Sequence, residues 1–254
     1  MKLLEVNNLT VKYGEHKVVD NVSFSVEEGQ WLMIAGPNGA GKSTILNAIS
    51  RGVPYEGEIL FRGTDIRKLR TTALARHVGV LAQNHMVGYE FTVQEIVNLG
   101  RYAYRKGIMK GQDAGDETAV REALRVAGLQ DLARKSVLHL SGGEVQRTFL
   151  AQLFAQNPDI MILDEPANHL DLVYQKQTFE LIGKWLAAPG RAVICVVHDL
   201  SQARAYGSHC LLLDHGQTAS CGVARDVLTP ENLQAVYDMD VYAWMRQMLG
   251  QWEE

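Results

Sequence analysis

Eight residues, Gly36-Pro37-Asn38-Gly39-Ala40-Gly41-Lys42-Ser43, carry the spacing G-x-x-x-x-G-K-[ST] of a phosphate-binding loop. Glycines let backbone N–H groups turn inward and approach a phosphate closely. A helix that follows aims the positive end of its dipole at the anion. In such a loop Lys42 reaches the β- and γ-phosphates, and the Ser43 hydroxyl binds Mg²⁺. The bland alternative is a glycine-rich turn with no ligand. The flanks speak against it, because the apolar run Trp31–Ala35 reads as a buried strand before the loop and Ser43–Ile49 as a helix after it.

Two further strand ends carry ionisable groups. Ile160–Leu163 is an apolar run that ends in Asp164-Glu165. Ligands of open α/β sheets sit beyond the carboxyl ends of strands. Adjacent residues project differently, so the two acids can divide labour. Asp164 is placed to hold Mg²⁺, and Glu165 to polarise an attacking water as general base. Alone, the pair would read equally well as solvated acids; beside a phosphate loop it gains a role. Ala192–Val197 runs into His198-Asp199, where a neutral imidazole could hydrogen-bond the γ-phosphate or the water. The seven other histidines lack such a position and are given no role. Leu140-Ser141-Gly142-Gly143-Glu144 opens a helix. Ser141 with Glu144 three residues on spells a capping box. Two glycines at a helix start also make an anion site. A second phosphate site is redundant within one monomer, but it makes sense if it completes the nucleotide site of another copy.

The elements that must position these groups alternate in type. Leu3–Val6, Val22–Val26 and Glu58–Phe61 read as strands, separated by turns at Asn7-Asn8, Glu28-Gly29 and Glu56-Gly57. Trp31–Ala35, Ile160–Leu163, Ala192–Val197 and Cys210–Leu213 read as buried parallel strands. Between them Ile45, Ala48 and Ile49 share a helix face, as do Phe179, Ile182 and Leu186 in a helix over about Leu172–Ala187. This alternation argues for an α/β core with a parallel sheet. From about Phe91 to Gln156 helical spacing takes over. One face holds Val93, Ile96, Val97 and Gly100. A second holds Val120, Leu124 and Ala127, capped by Gly128. A third holds Val145, Phe149, Leu153 and Phe154, and Gly107–Gly115 is the best loop candidate. The stretch reads as a helical insertion into the core.

Composition bounds the partners. The chain has 254 residues, of which 46% are apolar or aromatic, enough for a real core. Its net charge of −4 gives no footprint for nucleic acid. Three cysteines without a CxxC pair suit neither a disulfide framework nor a zinc site. Residues 1–20 carry no apolar core of a signal peptide, and uncharged stretches such as Gly29–Gly41 reach 13 residues. Spanning a bilayer takes about 20 apolar ones. The expectation is a soluble chain whose membrane role, if any, comes through a partner.

The phosphate loop, the Leu140–Glu144 signature, the Ile162-Leu163-Asp164-Glu165-Pro166 strand end and His198 stand in the order and spacing of the ATP-binding-cassette ATPases, which the chain resembles from about Leu3 to Ala224. The resemblance implies an α/β fold with a P-loop NTPase (RecA-like) core, an N-terminal antiparallel β subdomain and an inserted α-helical subdomain. It implies one domain over 1–254: residues 1–90 and 157–225 as α/β core with the β subdomain, 91–156 as helical signature subdomain, 226–254 as C-terminal extension. ATP and Mg²⁺ are the implied cofactors. Glu165, His198, Gln83 and Lys42 take the catalytic roles. Gly36, Pro37, Asn38, Gly39, Ala40, Gly41, Lys42, Ser43 and Thr44 cradle the phosphates. Tyr13 resembles the aromatic that stacks on adenine, its alternative being a tyrosine of an edge strand. Ser141, Gly142, Gly143 and Asp171 resemble the residues that reach across a homodimer to the nucleotide, and Ser43, Gln83 and Asp164 those around the metal. Three departures stand out: Ala82 where proline is usual, Glu144 where glutamine is frequent, Asn168-His169 where Ser-Ala is frequent. None removes a group with a catalytic role.

Phe91–Arg101, Asn168–Leu172 with Gln175, and the ending Val236–Val241 resemble one branch of that family, which energises importers of iron–siderophore, haem and cobalamin complexes. The resemblance implies a peripheral subunit at the cytoplasmic face of the membrane. It works with multi-span permease subunits and, indirectly, an extracytoplasmic substrate-binding protein, and not with nucleic acid. The permease would dock between core and insertion near Gln83–Arg101, on exposed Met86, Tyr89, Arg101 and Tyr102; the alternative is that these side chains pack the insertion. A soluble mechanical ATPase of the same fold is the rival reading. Long coiled-coil arms or tandem cassettes would favour it, and this sequence has neither. A binding module without turnover is a further rival, opposed by Glu165 with His198.

Overall fold

The computed structural model describes residues 1–83, 89–104 and 114–252, the side chain of Ala114 excepted. In chain order the strands are β1 (Lys2–Tyr13), β2 (His16–Glu27), β3 (Trp31–Ala35), β4 (Glu56–Phe61), β5 (Thr64–Asp65), β6 (Val78–Leu81), β7 (Ile160–Asp164), β8 (Ala192–Val196), β9 (His209–Asp214) and β10 (Gln217–Val223). The helices are α1 (Lys42–Ile49), α2 (Thr71–His77), α3 (Val93–Leu99), α4 (Ala114–Val126), α5 (Gly142–Gln156), α6 (Leu172–Leu186), α7 (Leu200–Tyr206), α8 (Ala224–Val227), α9 (Pro230–Tyr237) and α10 (Val241–Gly250). They form two compact units. One comprises Met1, Glu27–Gly29 and Thr64–Cys195; the other comprises Lys2–Val26, Gln30–Gly63 and Val196–Glu254.

The second unit contributes strands to two sheets. In one, β1 lies between β2 and β4 and runs antiparallel to β4, with Leu4 opposite Phe61 and Val6 opposite Ile59. The turn expected at Asn7-Asn8 is instead a bulge inside β1, where the register with β4 shifts between Asn7 and Thr10. Asn8 takes φ +52, a left-handed conformation that asparagine tolerates. Gly57 faces it, and a Cβ there would lie 2.4 Å from the Asn8 carbonyl oxygen. Glu56-Gly57 is accordingly the start of β4 and not a turn. In the other sheet β9 pairs parallel with β3, Ile34 beside Leu211, and β10 closes antiparallel on β9. All five residues of β3 and the four central ones of β9 are buried, as continuous apolar runs in a doubly covered sheet require. Ile45, Ala48 and Ile49 of α1 are buried as their spacing predicts.

In the first unit β7 lies between β6 and β8, and β6 runs parallel to it with Val78 beside Ile160. Ile160, Met161, Ile162 and Leu163 are fully buried. At roughly 1.5–3 kcal/mol for each such side chain, they anchor the strand that ends in Asp164. The helical stretch has its own core of Val93, Ile96, Val97, Val120, Leu124, Ala127, Leu129, Ala151 and Ala155. The α3 and α4 faces match expectation, and Gly128 (φ +66) ends α4. The α5 face matches in part, with Leu153 buried and Phe149 and Phe154 packed against that core. Val145, Phe149 and Phe154 are half-buried, while Thr148, Leu150, Ala151, Leu153 and Ala155 are buried. The reason is that α5 packs against α3, α4 and β6 together, so no single stripe faces inward. Gly100 permits the α3 approach, because a Cβ there would stand 2.2 Å from the Gln152 carbonyl oxygen. Of the loop candidate Gly107–Gly115, residues 107–113 lie outside the described residues, and Ala114 and Gly115 open α4. No helix among the described residues is long and apolar enough to cross a membrane.

Candidate active site

Between β3 and α1 the chain must turn against its neighbours, and glycines make this possible. Gly36 (φ +143) lies so close to β9 that a Cβ would meet the Leu213 carbonyl oxygen at 2.3 Å. Gly41 (φ +91) is the left-handed N-cap of α1, and a Cβ there would stand 2.7 Å from the Val18 carbonyl oxygen. No side chain caps α1, so its first turn presents backbone N–H groups beside the loop. Lys42 is buried, and its Nζ donates to the carbonyl oxygens of Gly36 at 2.7 Å and Pro37 at 2.8 Å. The ammonium is thus folded over the loop, held by neutral acceptors that an anion would outbid. Pro37, Asn38, Gly39 and Ala40 form the turn, with Ala40 N–H on the Pro37 carbonyl oxygen. Ser43 and Thr44 follow in the first turn of α1.

The same unit places His198 just beyond β8. Val197 N–H donates to the Ile34 carbonyl oxygen at 3.3 Å, which sets His198 at the end of β3 where the loop begins. The imidazole is exposed, and Asp199 caps α7 through Ser201 N–H. Tyr13 ends β1 with half its surface exposed. Tyr237, at the end of α9, is a contact the motifs do not announce. Burial pushes its phenol up, opposed by a hydrogen bond from Gly36 N–H, so the last turn of α9 braces the first residue of the loop.

In the first unit Asp164 ends β7, and Glu165 takes φ +52. The side chain of Glu165 accepts two hydrogen bonds at one oxygen, Oε2. Gln83 Nε2 donates at 2.7 Å and Asn168 Nδ2 at 2.7 Å. Two of the sequence-predicted catalytic groups, Gln83 and Glu165, are therefore in direct contact, and Asn168 joins them. The signature helix shows the expected capping box: Ser141 Oγ accepts from Glu144 N–H, and Glu144 Oε2 accepts from Ser141 N–H at 2.8 Å. The Ser141 N–H, then its hydroxyl, hold the Glu144 carboxyl below its ordinary value of 4.5. Asp171 caps α6 through Tyr174 N–H. The Tyr174 ring lies on Gly143, where a Cβ would come within 2.5 Å of it, and under the Arg147 guanidinium at 5.5 Å. Gln146 Nε2 donates to the Pro166 carbonyl oxygen at 2.6 Å. Signature helix and the loop after Glu165 are thus tied together.

The expected docking group is only partly exposed. Tyr89 and Tyr102 stand out at 75% and 69%, while Met86 lies outside the described residues. Arg101 is turned inward, donating to Asp116 Oδ1 at 2.7 Å and to the Ala155 carbonyl oxygen at 2.9 Å, with its guanidinium 3.8 Å from the centroid of the Tyr104 ring. A buried Asp116 would be left uncompensated otherwise, so Arg101 packs the insertion. Sequence reasoning also missed Asn168, Gln146 and Tyr174; the Asn168 departure was visible, but not its contact.

The groups present fit a nucleotide. A lysine ammonium on carbonyls and an uncapped helix start suit phosphate. A fold of this kind with these groups defines a nucleotide-binding cassette, and the comparisons agree. The family model described as ABC transporter matches residues 19–168. The chain belongs to the ABC transporter family. It is 37% identical over 245 residues to the ABC transporter ATP-binding protein YvrA of Bacillus subtilis (strain 168), covering 96% of this chain and 55% of that protein. Here the chain spans about half the relative's length. It is 36% identical to the ferric enterobactin transport ATP-binding protein FepC of Escherichia coli (strain K12), over 93% of this chain and 87% of that one. To the hemin import ATP-binding protein HmuV of Pseudomonas entomophila (strain L48) it is 36% identical, over 94% of each. Among solved structures it superposes, with a TM-score of 0.82 and 26% identity, on a chain of a transporter assigned to the metal-chelate type in an inward-facing conformation, covering 94% of this chain and 90% of that one.

Proposed function

We propose that this chain is the ATP-hydrolysing subunit of an importer for iron–siderophore, haem or cobalamin type complexes. The observation that carries the ATPase reading is the phosphate loop, with Lys42 folded on the Gly36 and Pro37 carbonyls before an uncapped helix. The names of FepC and HmuV support the cargo class. Tyr13 stacks on the adenine. Backbone N–H groups between Asn38 and Thr44 hold the phosphates, Gly36 and Pro37 shape the loop, and Lys42 exchanges its carbonyl partners for phosphate oxygens. Ser43, Gln83 and Asp164 would hold Mg²⁺, which when bound would supply charge neutralisation. Glu165 takes a proton from water as the water oxygen bonds to the γ-phosphorus. The bond from that phosphorus to the bridging oxygen breaks, and its electron pair leaves with ADP. His198 orients the γ-phosphate or the water.

The chain acts as a homodimer in which Ser141, Gly142, Gly143 and Asp171 of one copy complete the nucleotide site of the other. The single ATPase domain has its α/β core at 1–90 and 157–225, its signature subdomain at 91–156 and its C-terminal extension at 226–254. It sits at the cytoplasmic face of the membrane on a multi-span permease, fed by an extracytoplasmic binding protein. The test is an equilibrium titration with Mg²⁺–ATP, wild type against Lys42→Ala. Loss of a charged hydrogen-bond donor costs about 1.5–3 kcal/mol, which is roughly 10–150-fold in affinity. Equal affinities would sink the reading. For the transport half, a cysteine at Tyr102 should cross-link to a co-expressed permease, and labelling confined to the ATPase would count against docking there.

A further inference from the structure

We propose that Asn168 is a positioning residue for the base Glu165, an inference that rests on the reading of Glu165 as base. The backbone sets it up. Glu165, at φ +52, begins a turn Glu165-Pro166-Ala167-Asn168 closed by Asn168 N–H on the Glu165 carbonyl oxygen at 3.1 Å. Pro166 holds the second position of that turn, where its fixed φ fits. A left-handed glutamate is strained by about 1–3 kcal/mol and persists where its surroundings over-determine it. The turn brings the side chains of its first and last residues together, and Asn168 Nδ2 donates to Glu165 Oε2 at 2.7 Å.

The orientation of the Asn168 amide is settled by its other end. Asn168 Oδ1 accepts from His169 N–H at 2.9 Å, and His169 itself is left-handed at φ +62. With the oxygen committed to a backbone donor, only the NH₂ group can face the carboxylate. Gln83 Nε2 reaches the same Oε2 from another segment at 2.7 Å. Two donors on one oxygen fix both the torsion and the plane of the carboxylate, which a base must keep to meet a water in line. The departure from Ser-Ala is what allows this. A serine ends one bond nearer the backbone and has one oxygen in place of an amide with a distinct donor and acceptor, so it cannot make both contacts in this geometry.

The experiment uses the full chain with Mg²⁺–ATP as wild type, Asn168→Ala, Asn168→Asp, Glu165→Gln and Asn168→Ala/Glu165→Gln, and reads kcat, KM, thermal midpoint and single-turnover hydrolysis. Asn168→Ala should lower kcat about tenfold and leave KM within about twofold, because an interaction that orients the base is felt in the transition state. On the Glu165→Gln background it should cost less than about twofold, since the group it acts through is gone. Asn168→Asp keeps the size of the side chain and can still accept from His169 N–H, but it sets a carboxylate against Glu165. It should lower kcat more than alanine does. A role confined to the turn would be rescued by aspartate and would cost the same in both backgrounds; either result overturns the inference. A kcat of Asn168→Ala within twofold of wild type overturns it as well. Turnover retained by Glu165→Gln alone would instead remove the reading beneath it, so the two failures are separable.

Discussion

Gly143→Ala should destabilise the protein through one identifiable collision. The Cβ it adds would stand 2.5, 2.6 and 2.8 Å from three atoms of the Tyr174 ring, distances that real Cβ contacts do not show. The ring cannot simply swing away. It is half-buried, it stacks against Arg147, and its backbone N–H is held by Asp171 at 3.0 Å. Overpacking of this sort costs about 1–3 kcal/mol. For a chain of this size that is a fall in thermal midpoint of roughly 2–10 °C. The control is Tyr174→Ala, which opens the space. On that background Gly143→Ala should be neutral or slightly stabilising, because alanine is the better helix former. Thermal unfolding of the four proteins of the cycle measures a coupling of about 1–3 kcal/mol. Equal cost of Gly143→Ala with and without the ring would refute the collision, and with it the claim that the signature glycine is required by packing as well as by phosphate.

The Glu144 carboxyl is held below its ordinary value of 4.5 by Ser141, so its contribution is fully present above that value and is lost as pH falls through the lower folded one. Glu144→Ala should therefore lose about 0.3–1 kcal/mol at pH 7, the range for an exposed charge at a helix start, and in unfolding titrations the gap to wild type should narrow below the ordinary value of 4.5 and close beneath the lowered one. Tyr13 is half-exposed at a strand end. Tyr13→Ala should weaken ATP binding by about 1 kcal/mol while Tyr13→Phe leaves it unchanged, because stacking needs the ring; equal weakening in a binding titration would assign the effect to the hydroxyl.

The parts of the fold that could be read in the sequence are those where one physical requirement dominates. Trp31–Ala35 and Ile160–Leu163 must be apolar throughout because both sheet faces are covered, and they are buried as expected. The glycine spacing of the phosphate loop was legible, but not the second demand on two of its glycines: Gly36 and Gly41 also lie against the backbone at Leu213 and Val18. β6 was not legible. It has four residues, one of them Gly79 and another the exposed Val80. Its glycine answers to Leu153 and Pro158, whose side chains would lie 2.9 Å from a Cβ, a requirement set far along the chain. Asn7-Asn8 carries turn residues, yet β4 pairs across it, so the ladder overrode local preference and left a bulge. Arg101 turned inward because Asp116, fifteen residues on, is buried beside it. The contact of Asn168 with Glu165 depends on the sign of one φ angle, and no residue spacing encodes that.

A base at Glu165 of an ATP-hydrolysing site removes a proton that glutamine cannot take. Steady-state phosphate release by Glu165→Gln, measured beside an ATP-binding titration of the same protein, reads that difference alone. Hydrolysis reduced by about 10²–10⁴-fold with ATP affinity unchanged is the expected result, while phosphate release within threefold of wild type would contradict the assignment.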